Sequence, residues 1–162
     1  MGILILFLGF HFISKNRLTV YYFNFSNSQP IGIYRLIPLK GFVKNNDLVF
    51  IKVPQSVSSY IYGRDWLPEG GLLLKNVGGL PGDSYCITDT AFYINHKYIG
   101  PVSKVDSEGK TLPILRGTFK IREGDFLPVS RRISNSFDGR YFGEISLKLI
   151  QGKAVPVIVC ER

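Results

Sequence analysis

Two residues could do chemistry together: Lys75, a lone cation in the run Leu72–Asp83 (LLLKNVGGLPGD), and Ser28, which stands two positions before Pro30. Three leucines and Val77 predict a buried strand, and Gly78, Gly79, Pro81 and Gly82 predict a sharp corner at its end. A lysine on such a strand loses hydration, and burial lowers its pKa because the charged form suffers most. The neutral amine then accepts a proton near neutral pH. Such a base needs a hydroxyl to act on, and Ser28 supplies one. Pro30 biases Gln29 away from helix, so the serine is presented on extended or turning backbone. The competing reading is that Lys75 ends its strand with its ammonium in water, as most lysines do.

The elements that must position these residues are mostly strands. Hydrophobic residues make up 45% and aromatics 14%, with 12 Phe and 9 Tyr, a composition suited to pleated, half-buried surfaces and not to disorder. At 162 residues the chain is long enough for one domain with a real core. The net charge of +8 favours anionic surfaces, but the cations are scattered, and no Lys/Arg block interleaved with aromatics marks a nucleic-acid groove. Cys86 and Cys160 lack the paired spacings of zinc or redox sites, so no metal site is expected; one disulfide is open to them in an oxidising compartment, and two free thiols are the simpler expectation.

In chain order, residues 2–13 (GILILFLGFHFI) are almost continuously apolar. As a helix they would reach about 18 Å, short of the roughly 30 Å hydrocarbon layer. Residues 1–17 are therefore read as a short or truncated membrane anchor helped by Lys15 and Arg17, with a buried core strand as the alternative. Residues 18–162 form the body. Short strands are expected at 18–25, 31–34, 47–53, 84–87, 91–99, 119–121 and 125–129, with a final pair at 144–149 and 154–159. Asn95, His96 and Lys97 mark a hairpin turn, residues 130–143 a polar turn, and residues 54–71 a flap-like excursion. Short strands at roughly ten-residue spacing argue for a β-barrel or folded sheet.

Three separated motifs carry a resemblance. Ser28-Gln29-Pro30-Ile31-Gly32-Ile33-Tyr34, Lys75-Asn76-Val77-Gly78-Gly79-Leu80-Pro81-Gly82-Asp83 and Ser136-Phe137-Asp138-Gly139-Arg140-Tyr141-Phe142-Gly143 occur in that order. The combination is similar to the type I signal peptidases, most closely the conjugative-transfer signal peptidases of the TraF kind. It covers the body from about Asn24 to Pro156. The resemblance implies a folded β-sheet or barrel core, with Ser28 as nucleophile and Lys75 as general base and then acid. It also implies the Ser28 backbone N–H and the Ser26 hydroxyl as oxyanion donors. Ser136 would orient the lysine amine, and Asp138 with Arg140 would brace that wall. Gln29 replaces an apolar residue of the family pattern, Asn76 an arginine and Gly139 a serine.

On this resemblance the chain is expected to be a membrane-tethered serine endopeptidase in the bacterial inner membrane, its body facing the periplasm and needing no metal or organic cofactor. Its partners would be a precursor with a signal or maturation segment, such as a pilin-like subunit of a conjugation system, and membrane lipid, but not nucleic acid. Two other readings stand beside it: a self-cleaving repressor-type Ser/Lys protease, and a non-catalytic basic β-module binding lipid or nucleic acid. The apolar N-terminus and the lack of a helix-turn-helix pattern speak against the first.

Overall fold

The computed structural model describes residues 9–14, 17–133 and 136–160, and the protein is mostly β. In chain order the strands are β1 (Gly9–Ser14), β2 (Arg17–Asn24), β3 (Ile31–Ile37), β4 (Leu48–Lys52), β5 (Leu72–Gly79) and β6 (Ser84–Ile87). Then come β7 (Ala91–Ile94), β8 (Lys97–Pro101), β9 (Gly117–Lys120), β10 (Asp125–Val129), β11 (Ile145–Ser146) and β12 (Ile150–Cys160). Among the described residues they form an eight-stranded sheet, β1-β2-β3-β12-β4-β5-β10-β11, and a four-stranded sheet, β8-β7-β6-β9. Among the described residues, helix is confined to single turns, α1 (Ser58–Tyr62), α2 (Gly139–Phe142) and two short 3-10 turns.

The strand that carries Lys75 is central. β5 pairs with β4 on one side, placing Lys75 opposite Val49, and with β10 on the other, placing Asn76 opposite Val129. Its near-continuous apolar character follows from that position, because both faces are covered. Leu72 and Leu74 join Tyr34, Phe50 and Ala154 in one cluster, while Val77 joins Val49, Ile51 and Phe126 in another. Burying an aliphatic side chain of this kind contributes about 1.5–3 kcal/mol.

The glycines that end β5 are demanded by packing. A Cβ on Gly78 would lie 2.6 Å from the Val129 side chain, and one on Gly79 2.7 Å from Ile121. The corner itself closes through Asp83, whose carboxylate accepts from the Leu80 backbone N–H at 2.8 Å and from the Asn95 amide at 2.8 Å. Asn95 and His96 make the β7–β8 turn with φ of 47° and 63°, the positive values that two-residue hairpin turns require.

The expected final strand pair is corrected. Residues 144–149 yield only the two-residue β11 and a 3-10 turn, and β11 pairs with β10, whereas β12 runs eleven residues between β3 and β4. Ser146 ends the strand, because its hydroxyl accepts from the Lys148 N–H and caps the turn. β12 bridges two neighbours whose apolar faces lie far upstream, a non-local pairing that alternation in 154–159 does not reveal. Residues 130–143 likewise hold more than a turn, since Asp138 caps α2 within them. Of the anchor expected over 1–17, residues 1–8 and 15–16 lie outside the described residues, and Gly9–Ser14 runs antiparallel to β2. No helix among the described residues is long and apolar enough to cross a membrane. Cys86 and Cys160 are both free thiols.

Candidate functional site

The loop after β2 is folded around Asn24. Its buried side-chain amide donates to the carbonyls of Ser26, Gln29 and Pro30 at 2.9, 3.2 and 3.0 Å, and its oxygen accepts from the Ser26 N–H at 3.1 Å. One asparagine thus replaces the ladder partners that a turn of this length leaves without strands. Tyr34, 1% exposed, completes the lock by donating its hydroxyl to the Pro30 carbonyl at 2.7 Å. Gly32 explains the spacing between them. A Cβ there would fall 2.1 Å from the Ile158 carbonyl oxygen of β12, and its φ of 150° is one that only glycine adopts readily.

This loop puts two hydroxyls together. Ser26 Oγ and Ser28 Oγ share a hydrogen bond of 2.8 Å, and the Ser28 N–H donates to Ser26 Oγ at 3.2 Å. Ser28 is nearly buried, at 7% exposure. Its carbonyl accepts a 2.5 Å bond from the hydroxyl of Ser130, the residue that follows β10.

Lys75 lines the same cleft as Ser26 and Ser28, from β5. Its side chain is buried and its Nζ donates to Ser136 Oγ at 2.7 Å. Burial is the main influence on its pKa, lowering it from 10.5 to about 8; the Asp138 carboxylate works against this and the Arg140 guanidinium with it. Those two charges form one ion pair, so their effects on the amine oppose each other and burial decides.

Behind Ser136 the pair is complete. Arg140 Nε donates to Asp138 Oδ1 at 2.8 Å and Nη2 to Oδ2 at 3.2 Å, and both side chains are fully buried. The remaining valences are filled: Asp138 accepts from the Ser130 and Arg140 backbone N–H groups, and Arg140 reaches the Pro101 carbonyl at 2.9 Å. A bidentate, fully bonded pair is the form in which buried charges are tolerated. It also ties α2 to the strand end that carries Ser130.

Ser26, Ser28, Lys75 and Ser136 line one cleft of about 400 Å³. Its walls are largely apolar: Leu72 and Leu74 from β5, Ile61, Trp66 and Leu67 from the excursion after β4, Val105 and Leu112 opposite, and Phe137 with Tyr141. Phe137 stacks on Tyr141 at 5.3 Å and meets the edge of Trp66 at 5.1 Å, so the third motif and the excursion share a wall. A cleft with a desolvated amine, two hydroxyls and a backbone N–H at one place has the parts for acyl transfer to a serine.

The model of the family described as "Signal peptidase, peptidase S26" matches residues 1–159. The chain belongs to this signal peptidase family. The conjugal transfer protein TraF of Agrobacterium fabrum is 32% identical over 145 residues, covering 85% of this chain and 81% of that protein. A plasmid transfer protein TraF of Escherichia coli is 27% identical over 146 residues, covering 83% and 81%. Signal peptidase I V of Bacillus subtilis is 33% identical over 95 residues, 52% of this chain and 56% of its own length.

Of the residues singled out in the sequence of this S26 peptidase, Ser26, Ser28, Lys75 and Ser136 line the cleft, and Asp138 and Arg140 form a buried pair outside its lining. The sequence reading missed three others. Asn24 and Ser130 carry the serine loop on buried hydrogen bonds, yet neither stands in a recognisable motif. Asn76, noted only as a replacement, receives the Gln29 side chain.

Proposed function

We propose that this S26 peptidase is a membrane-tethered serine endopeptidase in which Ser28 and Lys75 form the dyad. Its substrate is the signal or maturation segment of an exported protein, of the pilin-like kind used in conjugative transfer, and its body faces the periplasm. The observation that carries the reading is Lys75 itself, a buried amine with its pKa near 8 in the cleft that also holds Ser28. The relatives named for conjugal and plasmid transfer support the choice of process.

The neutral Lys75 amine takes the Ser28 hydroxyl proton as Oγ bonds to the substrate carbonyl carbon. The oxyanion is met by the Ser28 N–H and the Ser26 hydroxyl; in the resting site that N–H donates to Ser26 Oγ at 3.2 Å. For this step the Ser28 N–H leaves Ser26 Oγ for the oxyanion, and the Ser26 hydroxyl points its proton at the same atom. The Lys75 ammonium then gives its proton to the departing amine, and water hydrolyses the acyl-enzyme by the same route in reverse. Ser136 holds the amine throughout, and the Asp138–Arg140 pair holds the wall behind it. The excursion at 54–71, with its 3-10 turn and α1, acts as the rim of the substrate cleft.

The test is cleavage of a pilin precursor in detergent by wild type, Ser28→Ala and Lys75→Ala, with each fold checked by circular dichroism. Loss of cleavage in both folded variants is the expected result. A folded Lys75→Ala protein cutting at the wild-type rate sinks the dyad.

A further inference from the structure

Gln29 and Asn76 are the neighbours in sequence of the serine and the lysine, and both depart from the family pattern. Here they find each other: Gln29 Nε2 donates to Asn76 Oδ1 at 2.7 Å. Gln29 is buried, at 6% exposure, and the Asn76 amide turns its own hydrogens to the Asn46 carbonyl at 3.3 Å. We propose that the Gln29–Asn76 bridge sets the position of the Ser28 loop against the lysine strand, so that the two residues are positioning residues for the dyad; this rests on the Ser28/Lys75 reading.

The need for such a bridge comes from topology. β3, which the serine loop enters, is separated from β5 in the sheet by β12 and β4, so no ladder of backbone bonds fixes the two motifs against each other. Asn24 and Tyr34 fix the shape of the loop but belong to the same stretch of chain. Ser130 holds the Ser28 carbonyl, but it extends from β10. Among the described residues, the Gln29–Asn76 bond is the direct hydrogen bond from the loop to β5. Strand alternation sends Asn76 to the face opposite Lys75, so the bridge grips the strand without entering the cleft. The apolar residue and arginine of the family pattern cannot make this bond.

The experiment is a double-mutant cycle on a quenched peptide with alanine before the scissile bond, read as kcat, KM and thermal midpoint. Gln29→Ala and Asn76→Ala are each expected to lower kcat about 10- to 100-fold at little change in KM, the scale set by a displacement of about 1 Å. The double variant should be no slower than the slower single, which marks coupling. The swap Gln29→Asn with Asn76→Gln keeps two amides and their combined length, and should return most of the activity. Losses that multiply in the double variant, or lowered midpoints with kcat intact, overturn the proposal, as does a swap no faster than the alanine variants. Ser28→Ala and Lys75→Ala are run alongside. If they still cut at the wild-type rate the dyad itself falls; if they are dead while the cycle is additive, only the bridge's role is lost.

Discussion

The Lys75 amine is held by the Ser136 hydroxyl at 2.7 Å, while burial brings its pKa to about 8. The active form of a general base is the unprotonated one. Activity is therefore expected to fall as pH drops below about 8, approaching tenfold per unit in kcat/KM, and to level off above it. A pH profile of kcat/KM on the free enzyme reads this directly. A flat profile from pH 6 to 9 contradicts Lys75 as the base.

The same burial has a cost in stability. Lys75 carries a folded pKa of about 8 against 10.5 when unperturbed, so between these values the unfolded chain binds the extra proton. Stability must then rise with pH across that window, and the penalty is fully present below pH 8. A gap of about 2.5 pH units corresponds to roughly 3 kcal/mol. Lys75→Met removes it but leaves Ser136 without its partner, at about 1–3 kcal/mol. The expected net gain at pH 6 is about 1 kcal/mol in an inactive protein. Urea unfolding at pH 6 and 10 checks both parts, and an unchanged pH slope in the variant would show that Lys75 is not the source.

Much of this was legible in the sequence. LLLKNV announced a buried strand because a central strand covered on both faces is apolar throughout, and Gly78 to Asp83 announced its corner through residues that few other conformations need. The three motifs located the cleft through their resemblance to the type I signal peptidases. What stayed hidden depends on contacts between distant segments. Ser130 reaches Ser28 only because β10 pairs with β5 and ends level with Asn76. Gln29 and Asn76 read as two unrelated replacements until the fold joined them. Nothing local in residues 144–159 says that β12 lies between β3 and β4, since the apolar faces that recruit it are about a hundred residues upstream.

Ser130 is the most exacting of the hidden residues. Its hydroxyl satisfies the Ser28 carbonyl and its N–H satisfies Asp138, all of them buried. Ser130→Ala keeps the N–H bond and deletes the hydroxyl bond, stranding a buried carbonyl at about 1–3 kcal/mol. Because that carbonyl belongs to the proposed nucleophile, kcat is expected to fall by more than the stability loss alone would cause. Comparing kcat with the chemical-denaturation midpoint separates the two, and a variant that is less stable yet fully active would show that Ser130 only braces the fold.

Gly139 offers a test in which the common family residue is the wrong one. The pattern has serine here, but in this protein a Cβ would lie 2.7 Å from Leu127 Cδ1 and 2.7 Å from the Pro128 carbonyl oxygen. The leucine could turn aside, but the carbonyl belongs to the backbone of β10, which is paired with β5 on one side and β11 on the other. Gly139→Ser is therefore expected to destabilise by about 1–3 kcal/mol, as overpacking does. Leu127→Ala added to it should recover little, since the backbone contact remains and a cavity is opened. The displaced residue lies between Asp138 and Arg140, so the strain also reaches the wall behind Lys75, and kcat should fall along with the thermal midpoint. A Gly139→Ser protein as stable and as active as wild type would mean that β10 yields at Pro128, and that the close packing of α2 on this strand is not what selects glycine.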